Sequence, residues 1–147
     1  MRARDLAAPY PTVGLSTSAL DAARQLADAN LPGLIVVDAA GRPSTILPGT
    51  QVLRLAVPKY CQENVALARV IDEAHADEFL RDLADRTVAE CLPKPERELA
   101  IVGPDATVLE IAALMARTRS PLVAVVDGHT TLGAVTLDAL LDRMLAS

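Results

Sequence analysis

The sequence predicts a mixed α/β (α+β) fold of two pseudo-symmetric repeats, each running helix-strand-helix-strand-strand-helix, with a helical insert between them. Three observations carry this expectation. First, Ser18 to Asp38 lies over Thr107 to Asp127 at a constant offset of 89 without a gap. Seven of the 21 positions are identical: Leu20, Ala23, Ala27, Pro32, Val36, Val37 and Asp38 recur as Leu109, Ala112, Ala116, Pro121, Val125, Val126 and Asp127. Unmatched positions mostly swap like for like, Leu26 with Met115 and Asp21 with Glu110, so an internal duplication organises the chain. Second, both copies pass from helical spacing to β-branched runs at the same places. Third, the stretch between them has helical spacing and belongs to neither copy.

Each copy opens with a brief helical stretch and a short extended segment, Thr12-Val13-Gly14 in one and Ala100-Ile101-Val102 in the other. Ser18-Ala19-Leu20-Asp21 and Thr107-Val108-Leu109-Glu110 then place a hydroxyl three residues before an acid, the pattern of a capping box. The helices behind them show one apolar face, Leu20, Ala23, Leu26 and Ala27 in the first copy and Leu109, Ala112, Met115 and Ala116 in the second. Pro32 and Pro121 end these helices, because proline cannot extend one and disfavours helix just before itself. Leu34-Ile35-Val36-Val37 and Leu122-Val123-Ala124-Val125-Val126 read as buried strands. Turns at Asp38 to Arg42 and Asp127-Gly128-His129 lead into Thr45-Ile46-Leu47 and Leu132-Gly133-Ala134-Val135, each the return strand of an antiparallel hairpin. Closing helices follow at Gln51 to Ala56 and Leu137 to Leu145. The division is therefore residues 1–57 for the first repeat, 58–85 for the insert and 86–147 for the second repeat.

In the acidic insert, Asn64 to Asp85, the apolar positions Leu67, Val70, Ile71 and Ala74 lose phase near His75 and resume at Phe79, Leu80 and Leu83, which predicts two helices or one kinked one. Asp72, Glu73, His75, Asp77 and Glu78 are the residues there that could suggest a metal site. They point in several directions around a helix, whereas hard ions need a loop that converges oxygens, so they read as a solvated face. No metal is expected.

Composition narrows the classes. With 51% hydrophobic residues and three aromatics (Tyr10, Tyr60 and Phe79), the core is assembled from Ala, Leu, Val and Ile. An isolated repeat would bury too little, so the copies are expected to fold as one unit with apolar surface left for a second chain. A net charge of −5 without a basic stripe argues against nucleic acid. No run approaches the 18 apolar residues of a membrane span, and the start Met1-Arg2-Ala3-Arg4-Asp5 has no hydrophobic signal core, so neither membrane insertion nor export is expected and the location is cytoplasmic. Cys61 and Cys91 lack the paired spacing of a zinc site and read as free thiols, buried or half-buried. His129 sits in a turn, no nucleophile has a recognisable base, and the seven glycines form no phosphate-cradling loop. No catalytic residue is expected, and the chain reads as a non-enzyme.

Pro121-Leu122-Val123-Ala124-Val125-Val126-Asp127 with Gly133-Ala134-Val135-Thr136, and the poorer copy at Pro32 to Asp38 and Thr45 to Pro48, resemble the CBS domain, named for cystathionine β-synthase. The resemblance covers roughly segments 1–57 and 86–146, and tandem CBS domains form a Bateman module. It implies a regulatory protein that binds an adenosine-containing ligand, such as AMP, ADP, ATP or S-adenosylmethionine, in clefts between the repeats. It also implies a homodimer and a separate enzyme or transporter as the regulated partner. In the family's ligand signature a Ser or Thr after the last strand meets phosphate, and an Asp three residues later grips ribose.

Laid on this sequence, the signature puts Thr136 at the hydroxyl and Ala139 at the Asp position, with Asp138 one residue early. One residue is about 100° of helix, so Asp138 either turns away from the cleft or reaches it if the helix starts differently. The first copy has Pro48 for the hydroxyl and Gln51 for the Asp. Val13, Ile101, Val102, Pro121 and Leu122 complete the implied site as apolar walls for a purine. The other reading is a ligand-free dimerisation and interaction module whose nucleotide sites have degenerated.

Overall fold

The computed structural model describes residues 1–71, 73–92 and 98–146, without the side chains of His75 and Ala76. The first copy runs α1 (Ala3–Leu6), β1 (Thr12–Gly14), α2 (Ala19–Asp28), β2 (Gly33–Val37), β3 (Pro43–Pro48) and α3 (Gly49–Ala56). Between the copies lie α4 (Lys59–Glu63), a 3-10 segment Val65–Val70, α5 (Glu73–Asp82) and a 3-10 turn Leu83–Asp85. The second copy runs α6 (Val88–Cys91), β4 (Ile101–Val102), α7 (Val108–Thr118), β5 (Leu122–Asp127), β6 (Thr130–Thr136) and α8 (Leu137–Leu145).

Each copy forms its own three-stranded sheet, β1-β2-β3 and β4-β5-β6, with the first strand parallel to the second and the hairpin antiparallel. The register shifts between Val36 and Val37 in one hairpin and between Val125 and Val126 in the other, so the duplication extends to a backbone irregularity at equivalent residues. The hydroxyl half of each predicted capping box forms: Ser18 Oγ accepts from the Asp21 amide at 3.0 Å and Thr107 Oγ1 from the Glu110 amide at 3.1 Å. Both helices also end alike. The amides of Leu31 and Ser120 bond back to the carbonyls of Leu26 and Met115, with Asn30 and Arg119 between them in the left-handed region at φ 53° and 54°.

Burial corrects the expected helix faces. Ala19 and Ala22 are the buried residues of α2, and Ile111 and Met115 those of α7, while Leu109 is 74% exposed. Of the residues the copies share, Ala23 and Ala112 are half-buried against the cores, whereas Ala27 and Ala116 are exposed, and all four line outer grooves. A four-residue repeat of small residues marks a close-approach surface as well as a core face, and spacing alone does not separate the two.

The boundaries drawn from the sequence divide the chain but not the cores. The leading helix α1 seats on the second copy: the amides of Ala3 and Arg4 donate to the carbonyls of Ala106 and Pro104, and Ala8 exchanges two 3.0 Å bonds with Ala134. In return α6 seats on the first copy, with the Val88 and Ala89 amides donating to Thr17 and Leu15. Ala3 accordingly belongs to the core of β4, β5 and β6, and Val88 and Cys91 belong to the core of β1, β2 and β3. Ile35 and Ile46 of the first sheet join the second copy's core, and Leu122 lies over Gly33, where a Cβ would meet Leu47 O at 2.8 Å.

The insert breaks at Ile71 rather than near His75, and α4 is an additional helix before it. Glu73, Asp77 and Glu78 are exposed, and Asp72 and the side chain of His75 lie outside the described residues. Among the described residues no His, Cys, Asp and Glu group is placed to hold a metal ion, and no helix is long and apolar enough to cross a membrane. Cys61 and Cys91 are free and buried.

Candidate functional site

The strand-to-helix junctions that carry the resemblance are equivalent in the two sheets, since Gly33 pairs with Pro48 and Leu122 with Thr136. At both junctions the first helical amide is tied across the hairpin: Gly49 donates to Pro32 O and Leu137 to Pro121 O, each at 3.0 Å. The two junctions nevertheless border very different spaces.

Beside Thr136 is an open cleft of about 500 Å³ lined by Asn30, Leu31 and Pro32 from the first copy and Pro121, Thr136, Leu137 and Asp138 from the second. Its size suits a small organic ligand. Thr136 Oγ1 accepts the Ala139 amide at 3.2 Å, which caps α8 and leaves the hydroxyl hydrogen available to a ligand. Asp138, exposed in the first turn, lines the cleft beside it, so the displaced acid reaches the space. Two of the three first-turn amides of α8, those of Leu137 and Ala139, are therefore already bonded.

Beside Pro48 the counterpart cleft has shrunk to about 20 Å³, room for a water and no more. Thr45, Ile46, Pro48, Glu98, Ala100, Thr118, Arg119 and Ser120 line it. Several of these groups are engaged elsewhere. Glu98 holds Arg117 at 2.5 Å, Thr118 Oγ1 donates to Leu114 O at 2.7 Å, and Ser120 Oγ donates to Leu122 O at 2.5 Å.

The structure thus brings Pro121, Thr136 and Asp138 together at the open cleft and leaves Pro48 at the closed one. The other candidates from the sequence lie elsewhere. Gln51 is buried and its Nε2 donates to Cys91 O at 3.3 Å, tying α3 to α6 instead of facing a ligand. Val13, on the edge strand β1, and Leu122, at the start of the central strand β5, are buried in the cores of their own copies. Ile101 and Val102 are half-buried against the second copy's core and border neither cleft. Sequence reasoning missed Asn30, Leu31 and Pro32, which the opposite copy supplies. Their one local signal is an asparagine just past a helix end and two residues before a proline, the pattern of a left-handed helix stop.

The half-buried Tyr10 and the buried Cys91 mark structure rather than chemistry. Tyr10 packs on the second copy's core and its Oη donates to Gly33 O at 2.6 Å; burial pushes its pKa up to about 12. Burial, helped by the Glu90 charge, pushes the Cys91 thiol up, which keeps it a poor nucleophile at neutral pH.

On the outer surface, α7 and α8 enclose an apolar groove of about 530 Å³ that includes Ala112, Met115, Leu137, Leu141 and Met144. A smaller groove of about 280 Å³ lies between α2 and α3 at Ala23, Leu26, Ala27, Val52 and Leu53.

A model of the CBS domain matches residues 88–146. No curated protein matches the chain significantly. Among solved structures, a CBS domain-containing protein of unknown function from Kribbella flavida DSM 17836 is 48% identical, with a TM-score of 0.84 over 100% of this chain and 99% of that one. The CBS-pair protein CBSX2 from Arabidopsis thaliana shares the fold at 19% identity and a TM-score of 0.73, covering 99% and 94% of the two chains. A structure of CBSX2 in complex with AMP is similar at 19% identity and a TM-score of 0.67, over 99% and 96%. The chain therefore belongs to the CBS domain family, and its two repeats form the fold of a CBS pair.

Proposed function

We propose that this CBS pair is a regulatory sensor that binds one adenosine-containing ligand per chain in the cleft beside Thr136 and passes the change to a separate partner protein. The observation that carries the reading is the open cleft itself, walled by both copies and furnished with a hydroxyl and a carboxylate at a helix start. Leu31, Pro32, Pro121 and Leu137 offer apolar faces to a base, and a carboxylate accepts hydrogen bonds from two neighbouring ribose hydroxyls. The AMP held by CBSX2, which has the same fold, supports the ligand class. One ligand per chain follows from the closure of the cleft beside Pro48. The proposal includes no catalytic step and places the protein in the cytoplasm, where two free buried cysteines stay reduced.

A homodimer is part of the proposal. The grooves on α2 and α3 and on α7 and α8 are equivalent apolar faces, and a two-fold partner presents the same pair of faces at the same spacing. Leu53, Leu137, Leu141 and Met144 are 43 to 56% exposed there.

A second reading, a ligand-free interaction module, draws on Ala139 at the position where the family's ribose-binding Asp is expected. Isothermal titration of the folded protein with AMP, ATP and S-adenosylmethionine to millimolar concentration separates the two. Saturable binding that weakens in Thr136→Val supports the sensor, and absence of heat with all three ligands favours the interaction module.

A further inference from the structure

The family resemblance leaves the ligand's charge open, and the open cleft addresses it. Resting on the adenosine-ligand reading above, we infer that this cleft selects against polyphosphates and takes a neutral or cationic adenosine compound: a nucleoside or an S-adenosyl sulfonium rather than a nucleoside di- or triphosphate.

Among Asn30, Leu31, Pro32, Pro121, Thr136, Leu137 and Asp138, the formal charge is that of one carboxylate, and no Lys, Arg or His is present. Phosphate recognition ordinarily draws on cationic side chains, on a cluster of free amides, or on both. Here neither is supplied. Leu137 N and Ala139 N, two of the first-turn amides, are bonded to Pro121 O and Thr136 Oγ1. The positive end of the α8 dipole has its own acid in the first turn, Asp138, which offsets the field an anion would feel. The basic residue nearest in sequence to the cleft wall is Arg119, two residues before Pro121. Its left-handed backbone places it on the closed cleft and the α7/α8 groove instead.

The same groups suit an uncharged or cationic ligand well. Asp138 accepts a ribose diol or pairs with a positive centre, the Thr136 hydroxyl donates, and the Asn30 amide offers both donors and an acceptor to a base edge. Chain asymmetry points the same way, since α3 has no acid in its first turn and its cleft is closed. The carboxylate occurs where the space is open.

The test is calorimetric titration of the wild-type chain with adenosine, S-adenosylmethionine, AMP and ATP, at low and high salt. Adenosine and S-adenosylmethionine are expected to bind at least about tenfold more tightly than ATP at low salt, with the gap narrowing as salt screens the carboxylate. Asp138→Asn should narrow the same gap, with circular dichroism confirming its fold. ATP binding as tightly as adenosine, at a site that Thr136→Val weakens, overturns the charge inference while the sensor reading stands. No binding of any of the four overturns both.

Discussion

Gly133→Ala probes how firmly the amino-terminal arm is anchored. Gly133 has φ 151°, a conformation that side-chain-bearing residues rarely adopt, and a Cβ there would lie 2.2 Å from Ala8 O and 2.8 Å from Ala8 C. No rotamer relieves that contact, because both partners are backbone. The arm must lift, breaking the two 3.0 Å bonds between Ala8 and Ala134. Two net hydrogen bonds at about 1 kcal/mol each and about 1–3 kcal/mol of backbone strain give a loss of about 3–5 kcal/mol. For a chain of this size that is a fall of roughly 6–20 °C in Tm. Gly128→Ala is the control, since Gly128 has φ 62° with nothing within 4 Å of a built Cβ, and it should cost only about 1 kcal/mol. Thermal melts of the two variants, with hydrogen exchange at the amides of Ala3, Arg4 and Ala8, separate clash from strain. Equal melting temperatures, or unchanged protection of those amides in Gly133→Ala, would refute the anchoring argument.

Other expectations concern the seam, the first closing helix and the outer groove. Tyr10→Phe removes the bond to Gly33 O and should cost about 0.5–1.5 kcal/mol in urea unfolding. Because the folded pKa of Tyr10 lies above its ordinary 10.0, the stability linked to it is intact below pH 10 and is lost as pH climbs towards about 12; an ultraviolet phenolate titration following unfolding locates that window. Gln51→Ala leaves Cys91 O without its side-chain donor and should lower stability by about 1–3 kcal/mol while leaving ligand affinity unchanged in calorimetry. Leu141→Arg tests the proposed homodimer: wild-type should sediment as a dimer and the variant as the 15.5 kDa monomer, since Leu141 lines the larger groove.

Much of each copy was legible because its signals are local. The hydroxyl-x-x-acid pattern at Ser18 and Thr107 caps helices through neighbouring amides, and the β-branched runs and turn residues fix hairpins of short reach. What stayed hidden depends on which copy faces which. Helices of four residues, α1 and α6, have too few positions to show a face, and the carbonyls that seat them lie in the other copy. The open cleft was legible on its Thr136 side and hidden on its Asn30 side for the same reason. Gln51 was misplaced because its neighbour Cys91 is 40 residues away, and a polar residue at a ligand-signature position looks the same whether it meets ribose or a buried carbonyl.

The traded helices α1 and α6 bear on how the gene can be cut and on how its changes accumulate. A fragment ending in the insert would carry α1 with nowhere to seat it, and its own sheet would lack Val88 and Cys91. The complementary fragment would lack Ala3. Each half is thus an incomplete fold whose missing piece is encoded in the other, so two such fragments should rescue one another when mixed. A substitution at Ala3, which is fully buried in the second copy's core, therefore acts on residues encoded far downstream of it.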